Sequence, residues 1–344
     1  MLNVSVPGSR YTQELALRHS PSFYPPPFDP LFRGAHLATI STVGIRPFLD
    51  VVNMPPHDRL FQTEPDVRVR VVSQNPTREP RGHVVMVHGL EGSSEGSYMR
   101  SLAQRVLTAG YYAHRMNMRN CGGTEAECPT LYHAGLVSDI LAFIRHLRER
   151  DNLPLYLVGY SLGGNQVSKL AGELGSSARG TITGVCAIST PIDLAECSRC
   201  IQSRANWLYQ KQFVVRMKAT LRKKHALRPG LFSLEDLDRI QTIWGLDDAY
   251  VAPLGGFRDA AHYYATQSAQ NFLGDVRIPM LMVHAANDPF IPIALYEQSV
   301  VRDNPHIFFL PTQHGGHMGF ISRRNPRFWL NEVIAQWMES LQGS

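Results

Sequence analysis

The sequence predicts an α/β fold in which a mostly parallel sheet carries helices on both faces. Short, continuous apolar runs recur along the chain, helical patterns separate these runs, and the alternation is interrupted once, over 195–270. Alternating strands and helices imply parallel pairing with right-handed crossovers. Uninterrupted apolar runs are typical of strands that are covered on both sides.

Strands are predicted from two patterns. Residues 66–72 alternate apolar and charged side chains, which indicates a strand with one wet face. Continuous apolar runs predict buried strands at 83–87, 155–158, 185–188, 280–283 and 306–310.

Helices are predicted where apolar residues recur every three to four positions. This spacing gives helices at 98–109, 133–150, 162–174 and 326–341. Inside the interruption, a second helical piece is expected at 234–243, after an amphipathic helix that carries Trp207, Leu208, Phe213, Val214, Met217 and Leu221.

Four segments follow from these patterns. We expect an N-terminal arm (1–45, extended at its proline run 25–27), the first part of the core (46–194), a helical cap (195–270) and the second part of the core (271–344). Caps of this kind close pockets over the carboxyl ends of strands. The cap residues Trp207, Tyr209, Phe213 and Val214 either line a tunnel into such a pocket or belong to the core.

Composition excludes several classes of protein. The 344 residues are 44% hydrophobic and 18% charged, which excludes a disordered or fibrous chain. No apolar run is long enough for a membrane span, and no secretory signal is recognisable, so we expect a cytoplasmic protein. Five cysteines are an odd number, and Cys197 and Cys200 lack further ligands nearby, so we expect free thiols and no metal site.

Positive charge is concentrated in one segment of a chain whose net charge is +5. Residues 197–234 contain nine basic residues and no acidic one. A solvated helix face is the commoner meaning of such a stripe, and peripheral contact with an anionic membrane is the alternative. We expect no nucleic-acid partner.

The pattern G-x-S-x-G occurs twice, around Ser94 and around Ser161. In hydrolases this pattern puts a serine on a strained turn between a strand and a helix. Ser161 directly follows the predicted strand 155–158 and precedes a helix, whereas Ser94 lies in a Gly/Ser/Glu loop. Ser161 is therefore the candidate nucleophile, and Ser94 is interpreted as a loop residue.

A nucleophilic serine needs a base and a group that orients this base. Asp288 follows the strand 280–283, and His317 follows the last predicted strand in a glycine-rich loop, so both reach the same sheet edge as Ser161. Asp193 is the rival acid and His314 the rival base. The oxyanion of the reaction needs backbone donors, and the amides of Leu90 and Leu162 are the candidates.

Several short motifs resemble the α/β-hydrolase superfamily, and within it the YheT-like branch, also called the AB hydrolase 4 family. The matching segments begin at His88, Asn117, Tyr132, Gly159, Trp244, Gly256, His284 and Gly315. The resemblance implies the α/β-hydrolase fold, a triad of Ser161, Asp288 and His317, and a helical cap over a pocket for acyl esters. Many members have glycine where this chain has Asn120, which puts the backbone of that loop in doubt but leaves the triad untouched.

The leading hypothesis is a serine-dependent carboxylic-ester hydrolase of the carboxylesterase or lipase type. It would act on small-molecule acyl esters of short to medium chain length, through an acyl-enzyme on Ser161 and without a cofactor or metal. Acyl transfer or thioester hydrolysis by the same triad is the first alternative. A non-catalytic binding module that keeps the fold is the second.

Overall fold

The computed structural model describes residues 23–45 and 54–342, and its centre is one eight-stranded sheet. The strand order is β1-β2-β4-β3-β5-β6-β7-β8, and only β2 runs against the others. The predicted fold class, mostly parallel α/β, is confirmed. The strands are β1 (His57–Glu64), β2 (Val67–Gln74), β3 (His83–Val87), β4 (Tyr112–Met116), β5 (Leu155–Tyr160), β6 (Gly184–Ile188), β7 (Met280–Ala285) and β8 (Ile307–Thr312).

The helices lie before, between and after these strands. They are α1 (Ala35–Gly44), α2 (Ser97–Thr108), α3 (Ser138–Arg148), α4 (Leu162–Leu174), α5 (Leu194–Ile201), α6 (Trp207–Leu227), α7 (Ile243–Leu246), α8 (Ala252–Leu254), α9 (Ala260–Gln267), α10 (Gln270–Leu273), α11 (Ser299–Arg302) and α12 (Trp329–Ser340). Single turns of 3-10 helix occur at Gly175–Ala178, Arg204–Asn206, Leu237–Arg239 and Ile293–Glu297, and a π-helical stretch occupies Asp247–Val251.

A hydrophobic core lies on each face of the sheet, because successive side chains of a strand point to opposite faces. In β3, Val84 and Met86 join a cluster with α2 and α12, while Val85 and Val87 join a cluster with α3 and α4. All residues of β3, β5, β6 and β7 are buried, as their apolar runs predict. The alternating pattern of β2 is also reproduced in its burial.

Helices α5 to α10 lie between β6 and β7, and α6 is the longest of the described helices. Its inner side packs on α7 through Met217 and Leu246. Its C-terminal part is hydrogen-bonded to the loop after β4. The buried ammonium of Lys224 donates to the carbonyl oxygens of Glu125 (2.8 Å) and Cys128. Burial lowers the pKa of Lys224.

Several element predictions need correction. The helix expected at 133–150 begins at Ser138, and the piece expected at 234–243 is a 3-10 turn at Leu237–Arg239, with α7 beginning at Ile243. Strands β1 and β4 and helix α1 were not predicted. Residues 25–27 of the arm belong to no helix or strand, and residues 1–22 lie outside the described part of the chain.

Candidate active site

Ser161 lies at a sharp bend between β5 and α4. Its angles, φ 51° and ψ −117°, are ones that non-glycine residues rarely adopt, which is the strain expected of a nucleophile turn. Two glycines make the bend possible. A Cβ on Gly159 would lie 2.2 Å from the carbonyl oxygen of Gly163, and a Cβ on Gly163 would lie 2.5 Å from those of Val87 and His88.

The predicted base and acid form a hydrogen-bonded chain with this serine. His317 Nε2 lies 3.0 Å from Ser161 Oγ, and His317 Nδ1 lies 2.8 Å from Asp288 Oδ2. An ionised carboxylate only accepts hydrogen bonds, so Nδ1 carries the proton and Nε2 is left to accept from the serine hydroxyl. The structure therefore brings together all three residues that the sequence nominates.

The rival residues are engaged elsewhere. Asp193 caps α5 by accepting a 3.0 Å hydrogen bond from the Glu196 N–H. Ser94 lies in a loop, as predicted, where its N–H donates to Asn117 Oδ1. Among the described residues, neither Asp193 nor Ser94 nor the side chain of His314 hydrogen-bonds to His317 or Ser161.

Asp288 is held in place by the chain that follows it. Its Oδ1 accepts hydrogen bonds from the N–H groups of Phe290 (2.8 Å) and Ile291 (3.2 Å), and its side chain is fully buried. Burial alone would raise the pKa of Asp288, but the attraction and hydrogen bond of His317, aided by His284, lower it below its ordinary value. The group beside the imidazole is therefore a carboxylate at neutral pH.

His284 is a neighbour of the site whose role the sequence did not reveal. Its Nε2 donates to the carbonyl oxygen of Ile291 (3.1 Å), and its ring stacks on Tyr296 with centroids 4.3 Å apart. Burial lowers the pKa of His284 to about 4, so the ring is neutral at pH 7. His284 thus supports the acid loop from behind. The only indication in the sequence was that His284 begins one of the segments that resemble the YheT-like branch.

The candidate oxyanion loop follows β3 and lies against the serine. A Cβ on Gly89 would be 3.2 Å from Ser161 Cβ. The carbonyl oxygen of Gly89 accepts from His88 Nδ1 (2.7 Å) and from the Gly92 N–H (3.0 Å). A planar trans peptide points its N–H opposite to its C=O, so these bonds turn the Leu90 amide away from the His88 ring.

His88 has a fixed protonation state in this arrangement. Its Nε2 accepts from the Met118 N–H (3.1 Å) while its Nδ1 donates to Gly89, and burial lowers its pKa to about 4. The amides of Leu90 and Leu162 have no acceptor among the described residues. Both donors predicted from the sequence are therefore free to bind an incoming group.

Glu91 connects the oxyanion loop to α6. This residue has a positive φ of 52°, which its hydrogen bonds hold in place. Its N–H donates to the Tyr132 hydroxyl oxygen (3.0 Å), which in turn donates to Glu91 Oε1 (2.8 Å). The Thr220 hydroxyl of α6 donates to Glu91 Oε2 (2.7 Å).

Helix α1 supports the loop that carries His317. The hydroxyl of Thr39 accepts a 2.9 Å hydrogen bond from the His317 N–H and donates to the carbonyl oxygen of Ala35 (2.8 Å). The two segments are in close contact, since a Cβ on Gly319 would lie 1.9 Å from the carbonyl oxygen of Ala38. This support could not be inferred from the sequence.

A mainly apolar pocket opens beside Ser161 and His317, under the helices between β6 and β7. Its apolar lining includes Leu131, Leu194, Phe213, Met217, Leu221 and Ile243. Of the cap residues nominated from the sequence, Phe213 lines the pocket, Val214 is buried in the core, and Tyr209 packs against Phe290. Trp207 does neither, because it is 56% exposed.

Asp247 is an ionisable group in the wall of this pocket. The hydroxyl of Tyr264 donates to Asp247 Oδ2 at 2.5 Å. Burial raises the pKa of Asp247 to about 7. The pocket therefore contains a carboxyl group that is partly protonated at neutral pH.

The loop at Asn120 keeps the backbone that a glycine would have. Asn120 has φ 61°, in the left-handed region where asparagine is among the most tolerated non-glycine residues. Its side chain also donates to the carbonyl oxygen of Thr130 (2.9 Å). The departure from the family pattern is thus accommodated locally.

All five cysteines are free thiols, and burial raises the pKa values of both Cys197 and Cys200. Within residues 23–45 and 54–342, no group of three or more His, Cys, Asp or Glu side chains is arranged to hold a metal ion. Over the same residues, no helix is both long and apolar enough to cross a membrane.

Comparison with known families gives one extensive match. The family model described as "alpha/beta hydrolase fold" matches residues 82–323. The chain belongs to the α/β-hydrolase family. It is also 31% identical over 314 residues to YheT of Escherichia coli, covering 89% of this chain and 91% of YheT, in agreement with the resemblance to the YheT-like branch.

Other similar proteins are more distant. Monoacylglycerol lipase of Saccharomyces cerevisiae is 27% identical over 74% of this chain, and the match spans 58% of that protein. Among solved structures, Est1E from Butyrivibrio proteoclasticus superimposes with a TM-score of 0.55 at 14% identity, covering 83% of this chain and 99% of Est1E. At this identity, the structural likeness concerns the fold alone.

Proposed function

We propose that this α/β-hydrolase is a carboxylic-ester hydrolase that acts through an acyl-enzyme on Ser161. The observation that carries the proposal is the chain of two hydrogen bonds, 3.0 Å and 2.8 Å long, from Ser161 through His317 to Asp288. The similarity to a monoacylglycerol lipase supports an ester as the substrate.

The geometry supports a two-stage reaction. Ser161 Oγ attacks the acyl carbon while His317 Nε2 takes the hydroxyl proton, and Asp288 stabilises the resulting imidazolium. The carbonyl oxygen becomes an oxyanion that the amides of Leu90 and Leu162 bind. The C–O bond to the alcohol then breaks, and the imidazolium gives its proton to the departing oxygen. Water repeats the sequence on the acyl-enzyme and releases the acid.

The substrate we propose is an acyl ester of short to medium chain length. The apolar pocket favours an alkyl group next to the reacting carbonyl. Within this proposal, residues 195–270 act as a cap that determines which acyl chains enter. A series of p-nitrophenyl esters from acetate to palmitate measures this preference, and a rate that peaks at palmitate would contradict the chain length.

Mutation of the two candidate serines tests the chemistry. We expect Ser161→Ala to lower kcat by roughly 10³-fold or more, because the attacking oxygen is lost. Ser94→Ala is the matched control, since Ser94 has the same sequence pattern but lies in a loop, and we expect it to keep full activity. Undiminished hydrolysis by folded Ser161→Ala protein would overturn the proposal.

Acyl transfer is the second candidate function. One relative, 27% identical over 74% of this chain, is named "Medium-chain fatty acid ethyl ester synthase/esterase 2". In transfer, an alcohol replaces water in attacking the acyl-enzyme. Hydrolysis with added ethanol distinguishes the two, because an ethyl ester product indicates transfer and its absence indicates a hydrolase only.

A further inference from the structure

The outer side of α6 has an unusual surface. Its exposed positions are apolar, basic or glutamine, and the whole helix contains no acidic residue. The apolar members include Trp207 (56% exposed), Leu208 (62%), Val215 (57%) and Leu227 (49%). The basic members are Lys211, Arg216, Arg222 and Lys223.

Helix α1 extends this surface beside the first turn of α6. The ring of His36 stacks on Tyr209 with centroids 5.7 Å apart, and His36 Nδ1 lies 3.2 Å from the Tyr209 hydroxyl. Leu37 and Ile40, three residues apart on α1, are 61% and 55% exposed. Six of the eight large hydrophobic side chains that are exposed in the described part of the chain lie on α1 and α6.

The charges on this surface differ along α6. Near the C-terminal end, Arg222 pairs with Asp238 and Lys223 pairs with Glu125. Near the N-terminal end, Lys211 and Arg216 have no acidic partner within the described residues. The unpaired cations therefore lie at the same end as Trp207 and Leu208.

We propose that this surface, made by the outer side of α6 with Leu37 and Ile40 of α1, binds a bilayer that contains anionic phospholipids. Interfacial helices combine tryptophan and aliphatic side chains, which enter the headgroup region, with lysine and arginine that meet lipid phosphates. Each apposed cation strengthens binding to an anionic leaflet about five-fold. The basic stripe seen in the sequence thus has a proposed partner, because four large apolar side chains of the same helix are about half exposed or more.

The same helix joins the membrane surface to the pocket. Phe213, Met217 and Leu221 of α6 line the pocket, whereas Leu208, Lys211 and Val215 face outward. Docking by the outer side therefore puts α6 between the lipid and the pocket that an acyl ester would enter. This last step rests on the proposed function, but the docking itself does not.

Vesicle sedimentation with the full chain tests the docking. We expect the protein to sediment with vesicles of phosphatidylcholine plus phosphatidylglycerol, and less with phosphatidylcholine alone. Reversing two charges, Lys211→Glu with Arg216→Glu, should weaken binding to the anionic vesicles at least about ten-fold. Replacing the apolar pair, Trp207→Ser with Leu208→Ser, should weaken binding to both kinds of vesicle.

The matched control reverses two exposed arginines of the α3 region, Arg145→Glu with Arg150→Glu. These precede β5 and so lie at the amino ends of the strands, away from α6. The control changes the net charge by the same amount and should bind like the unaltered protein. Equal weakening by both double reversals would overturn the proposal, because only total charge would then matter.

Two further measurements distinguish a failure of the docking proposal from a failure of the proposed function. Hydrolysis of a dissolved short-chain ester should be unchanged in all variants, which shows that each is folded. A protein that sediments with anionic vesicles but hydrolyses no ester would contradict the proposed function and leave the docking intact. Failure of the unaltered protein to sediment would overturn the docking, as would a dimer in solution that Trp207→Ser with Leu208→Ser makes monomeric.

Discussion

The hydroxyl of Thr39 accepts a 2.9 Å hydrogen bond from the backbone N–H of His317, so a residue of the N-terminal arm positions the imidazole loop of the site. Thr39 also donates to Ala35, which fixes its hydroxyl on α1. A displacement of about 1 Å in a reacting group can cost roughly 100-fold in rate. Thr39 therefore contributes to the proposed chemistry by positioning the loop that carries His317.

Replacement of this hydroxyl should slow the reaction. We expect Thr39→Val to lower kcat by about ten-fold with little change in KM, because the His317 N–H loses its acceptor while the pocket is untouched. Thr39→Ser keeps an acceptor and should retain most of the activity. Steady-state kinetics of both variants make the comparison, and equal kcat values for valine and serine would contradict the positioning role.

The neutral ring of His88 should matter for turnover more than for binding. It donates to the carbonyl oxygen of Gly89 and thereby aims the Leu90 amide. We expect His88→Ala to lower kcat by about 100-fold, the usual cost of one oxyanion donor, with KM little changed. Kinetics on a dissolved ester measure the effect. A variant that is folded, with an altered KM and an unaltered kcat, would argue against this role.

Stability should depend on pH through Asp247. Its pKa of about 7 in the folded chain lies above its ordinary value of 3.8, so the folded state keeps a proton that the unfolded state releases between these values. This group therefore destabilises the fold increasingly as the pH rises through that window. Asp247→Asn, which stays neutral, should be more stable than the unaltered protein at pH 8 by roughly 2–4 kcal/mol and equally stable near pH 4.

Urea unfolding at the two pH values measures this difference. Asp248→Asn is the matched control, because Asp248 is exposed and adjacent. The control should show no comparable gain at pH 8. A gain for Asp247→Asn that is the same at pH 4 and pH 8 would contradict an ionisation origin.

The strands that the sequence predicts are those whose burial follows a regular pattern, either alternating, as in β2, or continuous. Strands β3, β5, β6 and β7 are buried on both faces, so their apolar runs are unbroken. Strand β4 was missed because His114 and Arg115 interrupt its apolar run, although both are buried and hydrogen-bonded to other segments. Strand β1 was missed because most of its side chains are exposed.

The residues of the site also fall into those that the sequence indicates and those that it does not. Ser161, Asp288 and His317 could be nominated because each follows a recognisable strand, and parallel strands bring their carboxyl ends to one edge. Thr39 and Glu91 could not, because their roles depend on contacts with residues far away in the sequence.

The most direct test of the central claim is the location of a covalent adduct. Treating the folded protein with a fluorophosphonate probe and digesting it for mass spectrometry identifies the modified residue. The proposed mechanism predicts one adduct on the peptide that contains Ser161, at a rate that Asp288→Asn and His317→Ala both reduce. An adduct on another serine, or none on folded protein, would contradict the mechanism.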